Sequence, residues 1–398
     1  MHLVDVAWVL FSASLVLFMV CGLAFFYAGL VSSRNVINTI NMSFICLALI
    51  PITWVILGYS LAFSGESPWI GNFDEFGLIN LSRSFHDGDI PDYVYMVFQM
   101  MFACISPALI SGAVVERIRF NAYMVFVVIW SILVYSTVAH WVWSDLGWLK
   151  SLGVIDFAGG MVVHLTAGCS ALVAAIMMKP RKNQQKNTKL QHTPFVILGA
   201  SILWYGWFGF NSGSALGMNM IAITAFVNTA LGASSAILMW VVLSILMGKN
   251  ISVIGIAVSS VIGLVAITPA CGYVTHISSL YIGAAAAFIC FFALEYRPLW
   301  AGKIDDTLDV FVFHGIAAIV GSLLTGVFCL SEVNPSIESG VITGNFDILG
   351  AQVVGVIAIA LFSMCMTYLI FKAIGIFMYI RIKADDENLE LGSLEHEE

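Results

Sequence analysis

The chain has 398 residues, of which 60% are apolar and only 10% are Asp, Glu, Lys or Arg, with a formal net charge of −8. Soluble domains carry about 25% charged residues, so a soluble globular enzyme, a disordered chain and a nucleic-acid binder are excluded. What remains is an integral membrane protein. Apolar runs of roughly 20 residues or more fit helical spans rather than the alternating strands of about 10 residues found in a barrel.

In chain order the apolar runs predict eleven spanning helices, at 6–31, 36–62, 92–114, 120–142, 157–178, 194–212, 219–246, 251–268, 277–296, 309–330 and 348–378, with polar, Gly-rich or Pro-marked links between them. The first begins near Val6 with Asp5 before it and no Lys or Arg, unlike a cleavable secretion signal. Pro51 and Pro107 fall inside spans, where neighbouring helices re-satisfy the freed backbone groups. The eight scattered cysteines lack CxxC spacing and read as small buried apolar residues.

Basic residues set the orientation. With the N-terminus outside, 14 of the 16 Lys and Arg lie at or near the inner side, among them Arg34, Arg117, Arg119, the cluster from Lys179 to Lys189, Arg297, Arg381 and Lys383. The outer side keeps Arg83 and Lys150. An N-out, C-in topology follows, and it requires an odd number of spans. The outer loop at 63–91 carries Glu66, Asp74, Glu75, Asp87 and Asp89. Those acids either gather cations at an entrance or simply complement the basic inner side.

Spans one to five and six to ten have similar lengths, and an odd-numbered block inverts when repeated. The fifth holds Val163-His164-Leu165-Thr166-Ala167-Gly168 and the tenth Phe313-His314-Gly315-Ile316-Ala317-Ala318. Each half thus ends in a small-residue helix with one His, and inverted repeats place substrate sites at the midplane between halves. Ionisable groups inside a membrane are functional candidates by default. Here they are His164 and His314, with the acids preceding them, Asp156 and Asp309. A neutral His pair shares one hydrogen bond and still offers nitrogens to a polar guest; the other reading is two core His, each bonded to a carbonyl. Asp156 opens a helix, which suits an N-cap, and Asp309 has the same reading on the inner side.

Two aromatic clusters remain, Phe98-Gln99-Met100-Met101-Phe102 and Trp204-Tyr205-Gly206-Trp207-Phe208-Gly209-Phe210. Trp141, Trp143 and Trp148 gather at an outer boundary, where aromatics usually anchor. Aromatic faces also attract cations, by roughly 0.5–2 kcal/mol each. A ring cage with one hydroxyl suits a small cation bearing N–H donors, selecting NH4+ over K+ by hydrogen bonding.

Asp156-Phe-Ala-Gly-Gly-Met-Val-Val-His164 resembles the signature of the ammonium transporter (Amt/Mep/Rh) family, on its Amt branch. So do Gly112-Ala-Val-Val-Glu-Arg-Ile-Arg-Phe120, Ala139-His-Trp-Val-Trp143, Gly206-Trp-Phe-Gly-Phe-Asn-Ser-Gly-Ser214, Phe226-Val-Asn-Thr229, Thr268-Pro-Ala-Cys-Gly272 and Asp309-Val-Phe-Val-Phe-His-Gly315. The motifs run in order over nearly the whole chain. The resemblance implies an all-α protomer of eleven transmembrane helices. Two inverted five-helix repeats (about 1–180 and 190–330) and an eleventh helix (about 348–378) form a membrane domain over 1–380, followed by an acidic cytoplasmic tail at 381–398. It implies a homotrimer in the cell's inner membrane. Ammonium or ammonia is then the substrate, no cofactor or metal is needed, no enzyme activity is expected, and a PII-type regulator is a candidate partner at the cytoplasmic face.

By motif, Trp143, Phe102, Trp207 and Ser214 form the outer ammonium site and Phe102 and Phe210 a gate. His164 and His314 are then the pore histidines, and Asp156 a structural and electrostatic acid. The stretch Ser144–Gly153 is slightly longer and more charged than the family's Gly-rich segment, so the outer mouth is expected to differ. Two other classes fit the same residues: an ammonium sensor of this fold with little transport, and a membrane haem protein with His164 and His314 as axial ligands.

Overall fold

The computed structural model describes residues 3–82, 90–181, 192–299 and 302–383. Arg83, Asp87, Asp89, Lys182, Lys186, Lys189 and the acidic tail from residue 384 lie outside them. Apart from one antiparallel bridge between Ile118 and Arg381, the described residues form helices, turns and loops.

Among the described residues, ten helices are long and apolar enough to cross a bilayer: α1 (Leu3–Ala28), α2 (Ser33–Phe63), α3 (Asp92–Val114), α4 (Phe120–Ser151), α5 (Gly160–Met178), α6 (Thr193–Gly213), α7 (Met220–Leu246), α9 (His276–Glu295), α10 (Phe311–Phe328) and α11 (Asp347–Phe377). Between α7 and α9 lies the apolar helix α8 (Val253–Ile267). These match the eleven runs read from hydropathy. At about 1.5 Å per residue α8 is too short to span ~30 Å of hydrocarbon alone. Its continuation, Thr268 to Val274, is irregular and buried. Non-helical backbone is tolerated at such depth only where protein covers it. The covering element is the equally irregular segment 154–159, whose Phe157 N–H bonds the Pro269 carbonyl at 3.1 Å. A Cβ on Gly272 would lie 2.1 Å from the Phe157 ring.

Burial separates a core from an outward-facing shell. Some 89% of the most apolar 18-residue stretch of α3 is buried, against 28% for that of α2 and 33% for those of α7 and α11. The outward faces carry Phe44 and Ile52 on α2, Phe226 and Leu238 on α7, and Ile357 and Leu361 on α11. This is a multi-pass membrane protein. Small residues bring the inner helices together. Gly199 and Gly206 on α6 press against Phe26 and Met19 of α1. A Cβ on Gly168 of α5 would sit 2.3 Å from the backbone nitrogen of Gly315 on α10, so only Gly allows that crossing. Both helices also begin with a π-helical stretch, Gly160–Leu165 in α5 and Phe311–Ile316 in α10. Such wide turns concentrate at functional sites, and each holds one of the two His.

The eight cysteines are free and six are buried. The loop after α2 is fastened to the end of α4. His140 Nδ1 lies 2.9 Å from the Ala62 carbonyl and Nε2 2.7 Å from that of Ser67, while the Trp141 indole donates to the Trp69 carbonyl at 2.6 Å. Trp148 meets Trp141 edge-on at 5.6 Å and the tilted ring of Trp69 at 5.5 Å.

Candidate functional site

The irregular segment before α5 builds the first part of the site. Asp156 turns its carboxylate onto the opening of α5. Oδ1 accepts the N–H groups of Gly159 (3.0 Å) and Gly160 (2.7 Å), and Oδ2 those of Met161 (2.7 Å) and Val162 (3.0 Å). This is an N-cap extended to four donors, made possible by Gly159 at φ 105°. Burial raises the carboxyl above its ordinary range, and the four N–H bonds pull it back. The Asp156 carbonyl faces the other way and accepts the Trp143 indole N–H at 2.9 Å.

Trp143, Phe98, Phe102, Asp156, Tyr273 and Ser214 line a cavity of ≈ 1320 Å³. Ser214 donates to the Phe210 carbonyl at 2.9 Å. Gln99 also lines this cavity, and its buried Oε1 has no hydrogen-bond partner. In the sequence it was one polar residue inside an aromatic cluster, which was the only signal of its role. Trp143 meets Phe102 edge-on, centroids 5.9 Å apart at 89°. Phe102 in turn lies 4.3 Å from Phe210, a contact between two fully buried rings.

Beyond Phe210 come the histidines. The His164 ring lies 5.7 Å from Phe210 and 5.2 Å from His314, at 30° and 14° between planes. The two Nδ1 atoms are 3.2 Å apart. That direct ring contact leaves no gap for a porphyrin between them. His164 Nε2 is buried without a partner. Trp207 is set apart from Trp143, Phe102 and Ser214. It stacks on His164 at 5.3 Å and 18°, and its indole donates to Thr268 Oγ1 at 2.8 Å, which in turn bonds the Leu264 carbonyl. The Thr268 anchor holds it on the histidine side of Phe210.

The second helix-opening acid is not the one the sequence suggested. Asp309 adopts φ 56° and gives its Oδ2 to Arg297 at 2.8 Å. The N–H of Phe311 is taken by Asp306 Oδ2 at 2.7 Å. Asp306 stands eight residues before His314, as Asp156 stands eight before His164. The nearer acid fails because its left-handed backbone turns its side chain away from the helix opening. Burial pushes the Asp309 carboxyl up to about 7, reinforced by Asp306 and Asp305 and opposed by Arg297.

On the same side a buried ion cluster closes the loops. Asp305 pairs with Arg117 at 2.8 Å, both side chains 0% exposed, and with Arg181 through Nε and Nη2, each at 2.8 Å. Burial alone would raise the Asp305 carboxyl. Hydrogen bonds and charge from Arg181, with the charge of Arg117, outweigh it and bring the group to about 2. Arg181 also bonds Glu116, whose Oε1 accepts from Ser32 and Asn35.

Membrane-length helices surrounding a buried aromatic and histidine constellation define a multi-pass membrane protein of the transporter class. The model of the Ammonium Transporter Family matches residues 7–398, and the chain belongs to that family. It is 39% identical over 402 residues to an ammonium transporter of Bacillus subtilis, covering 100% of this chain and 98% of that protein. Its fold matches the crystal structure of Candida albicans Mep2 with a TM-score of 0.91 at 32% identity, covering 97% of this chain and 88% of that one. It also matches a sensor Amt protein with a TM-score of 0.90 at 28% identity, covering 99% and 98%.

Proposed function

We propose that this chain conducts ammonium as ammonia through a pore within each protomer, with Trp143, Phe102 and Ser214 recruiting NH4+. The supporting observation is the order of groups: an aromatic-rimmed cavity, the Phe102–Phe210 contact, then His164 and His314 with their Nδ1 atoms 3.2 Å apart. A bare ion in a low-dielectric path costs many kcal/mol to desolvate, whereas neutral ammonia costs far less. Ring faces offset part of that cost at the mouth, by about 0.5–2 kcal/mol each. The Ser214 hydroxyl spends its proton on the Phe210 carbonyl, so its lone pairs are open to an N–H donor. K+ has no N–H to give this hydroxyl.

The Phe pair then acts as a gate; beyond it the ion gives its proton to a bare imidazole nitrogen of the His164–His314 pair, which relays it, and NH3 passes along the histidine nitrogens. In this reading Trp207 lines the pore beside His164 and Asp156 orders the floor of the outer site. The reading extends to two inverted halves, N-out and C-in orientation in the cell's inner membrane, a homotrimer, and a PII-type regulator at the cytoplasmic face.

The second reading is an ammonium sensor, favoured by the likeness to the sensor Amt protein. Purified protein in liposomes, given an ammonium gradient while current and internal pH are recorded, separates the two. Ammonium-dependent flux absent from empty liposomes supports conduction. Saturable ammonium binding without flux overturns it in favour of the sensor.

A further inference from the structure

Helix α11 follows the ten helices read as two halves, and its largely outward-facing surface suggests no part in the site. One of its side chains reaches the outer cavity floor. Gln352 is fully buried. Its Oε1 accepts the N–H of Ile155 at 3.0 Å, and its Nε2 donates to the carbonyl of Ile155 at 2.9 Å and to that of Ser322 on α10 at 2.9 Å. A side-chain amide thus holds both backbone groups of one residue, as a neighbouring strand would. That residue sits in an irregular stretch, where the N–H groups of Val154 and Phe157 bond Leu149 and Pro269. Small residues let α11 come this close. A Cβ on Gly355 would lie 3.0 Å from the Val154 side chain, and one on Gly326 of α10 would lie 3.1 Å from the Gln352 Cγ.

Asp156 follows Ile155 directly. Its carbonyl accepts the Trp143 indole and its carboxylate caps α5. Fixing the Ile155 peptide groups therefore fixes the plane from which both Asp156 interactions start. We propose that Gln352 is a positioning residue for ammonium recognition: it acts through Ile155 and Asp156 to hold Trp143 in place at the outer cavity. The geometry also connects α11, which leads toward the chain's C-terminal end, with the first site a substrate meets. The inference rests on the transport reading above.

The test is initial ammonium-driven flux into proteoliposomes against ammonium concentration, for the parent, Gln352→Leu and Gln352→Glu, normalised to assembled protein. Gln352→Leu removes all three bonds. Gln352→Glu keeps the shape and the acceptor for the Ile155 N–H, but sets an oxygen against two carbonyls. A loosened outer site raises KM by about 10-fold while Vmax stays within about twofold, a tenfold change being ~1.4 kcal/mol of binding. The Gln352→Glu defect, as a ratio to the parent at each pH, shrinks as pH is lowered, because a protonated carboxyl again donates to one carbonyl. Unchanged KM in both variants overturns the proposal. So does a lower Vmax at parental KM, or the loss of both variants from the membrane, since each marks a purely structural amide. A parent without flux instead overturns the transport reading itself, so the two failures are distinguishable.

Discussion

Asp156→Asn tests most directly how the site is ordered. The carboxylate serves four N–H donors, two on each oxygen, at 2.7–3.0 Å. Asn presents one oxygen and one NH2 group. In either orientation of the amide, one pair of backbone donors faces another donor. Each buried donor stripped of its acceptor costs ~1–3 kcal/mol, so two cost ~2–6 kcal/mol. For a chain of 398 residues each kcal/mol shifts the melting temperature by ~1.2 °C, so it falls by roughly 2–7 °C. The loss is local to the start of α5, where His164 and the neighbour of Trp143 are set, so ammonium flux should fall with it. Thermal unfolding of the purified protein in detergent, beside flux in liposomes, measures both. An Asn variant with parental melting and flux would show that the four bonds do not order this segment.

Four further outcomes follow from the same geometry. His164→Ala and His314→Ala should each leave the protein folded and lower ammonium flux by on the order of 10²-fold, the scale of a lost proton-transfer group; parental flux and selectivity in both sinks the relay. Thr268→Val strips the acceptor from the Trp207 indole and should cost ~1–3 kcal/mol, read as a lower unfolding temperature, whereas Thr268→Ser should not. Gly168→Ala places a Cβ 2.3 Å from the Gly315 nitrogen; it should separate α5 from α10, lengthen the His164–His314 contact in a crystal structure and reduce flux. Asp305→Asn leaves Arg117 buried without its counter-charge and should cost ~3–5 kcal/mol. In the parent, Asp305 titrates at about 2 rather than its usual 3.8, so its contribution is complete above pH ~4 and is lost as pH falls from ~4 toward ~2. Unfolding followed across that range should show a slope that Asp305→Asn lacks.

The helices were legible because lipid demands long apolar runs, and the histidines because an ionisable group in such a run has no bland neighbours to hide among. Depth and direction were less legible. Trp207 sits three residues before Phe210 on α6, and that spacing alone does not say which ring faces the cavity and which faces the histidines; the Thr268 hydroxyl decides it, from the turn that ends α8, distant in sequence. Choosing Asp309 as the second capping acid followed proximity to His314, but a left-handed residue reverses where a side chain points. The shared eight-residue spacing from Asp156 to His164 and from Asp306 to His314 was present in the sequence and was the better guide. Gln352 carried one signal, a lone amide in an apolar helix, and its partners are reached only through the packing of α11. The wide turns at both histidines left no sequence signal.

The 3.2 Å contact between His164 and His314 has a further consequence. Two Nδ1 atoms that share one hydrogen cannot both carry it. The ring that donates is bare at Nε2, and the ring that accepts carries its hydrogen at Nε2. At any instant the pair therefore shows a lone pair at one end and an N–H at the other. Moving the shared hydrogen, with the outer protons following, exchanges the ends. The histidine pair thus holds a one-bit polarity. A proton handed in at one ring and out at the other leaves that bit inverted, and it must be reset before the next can follow.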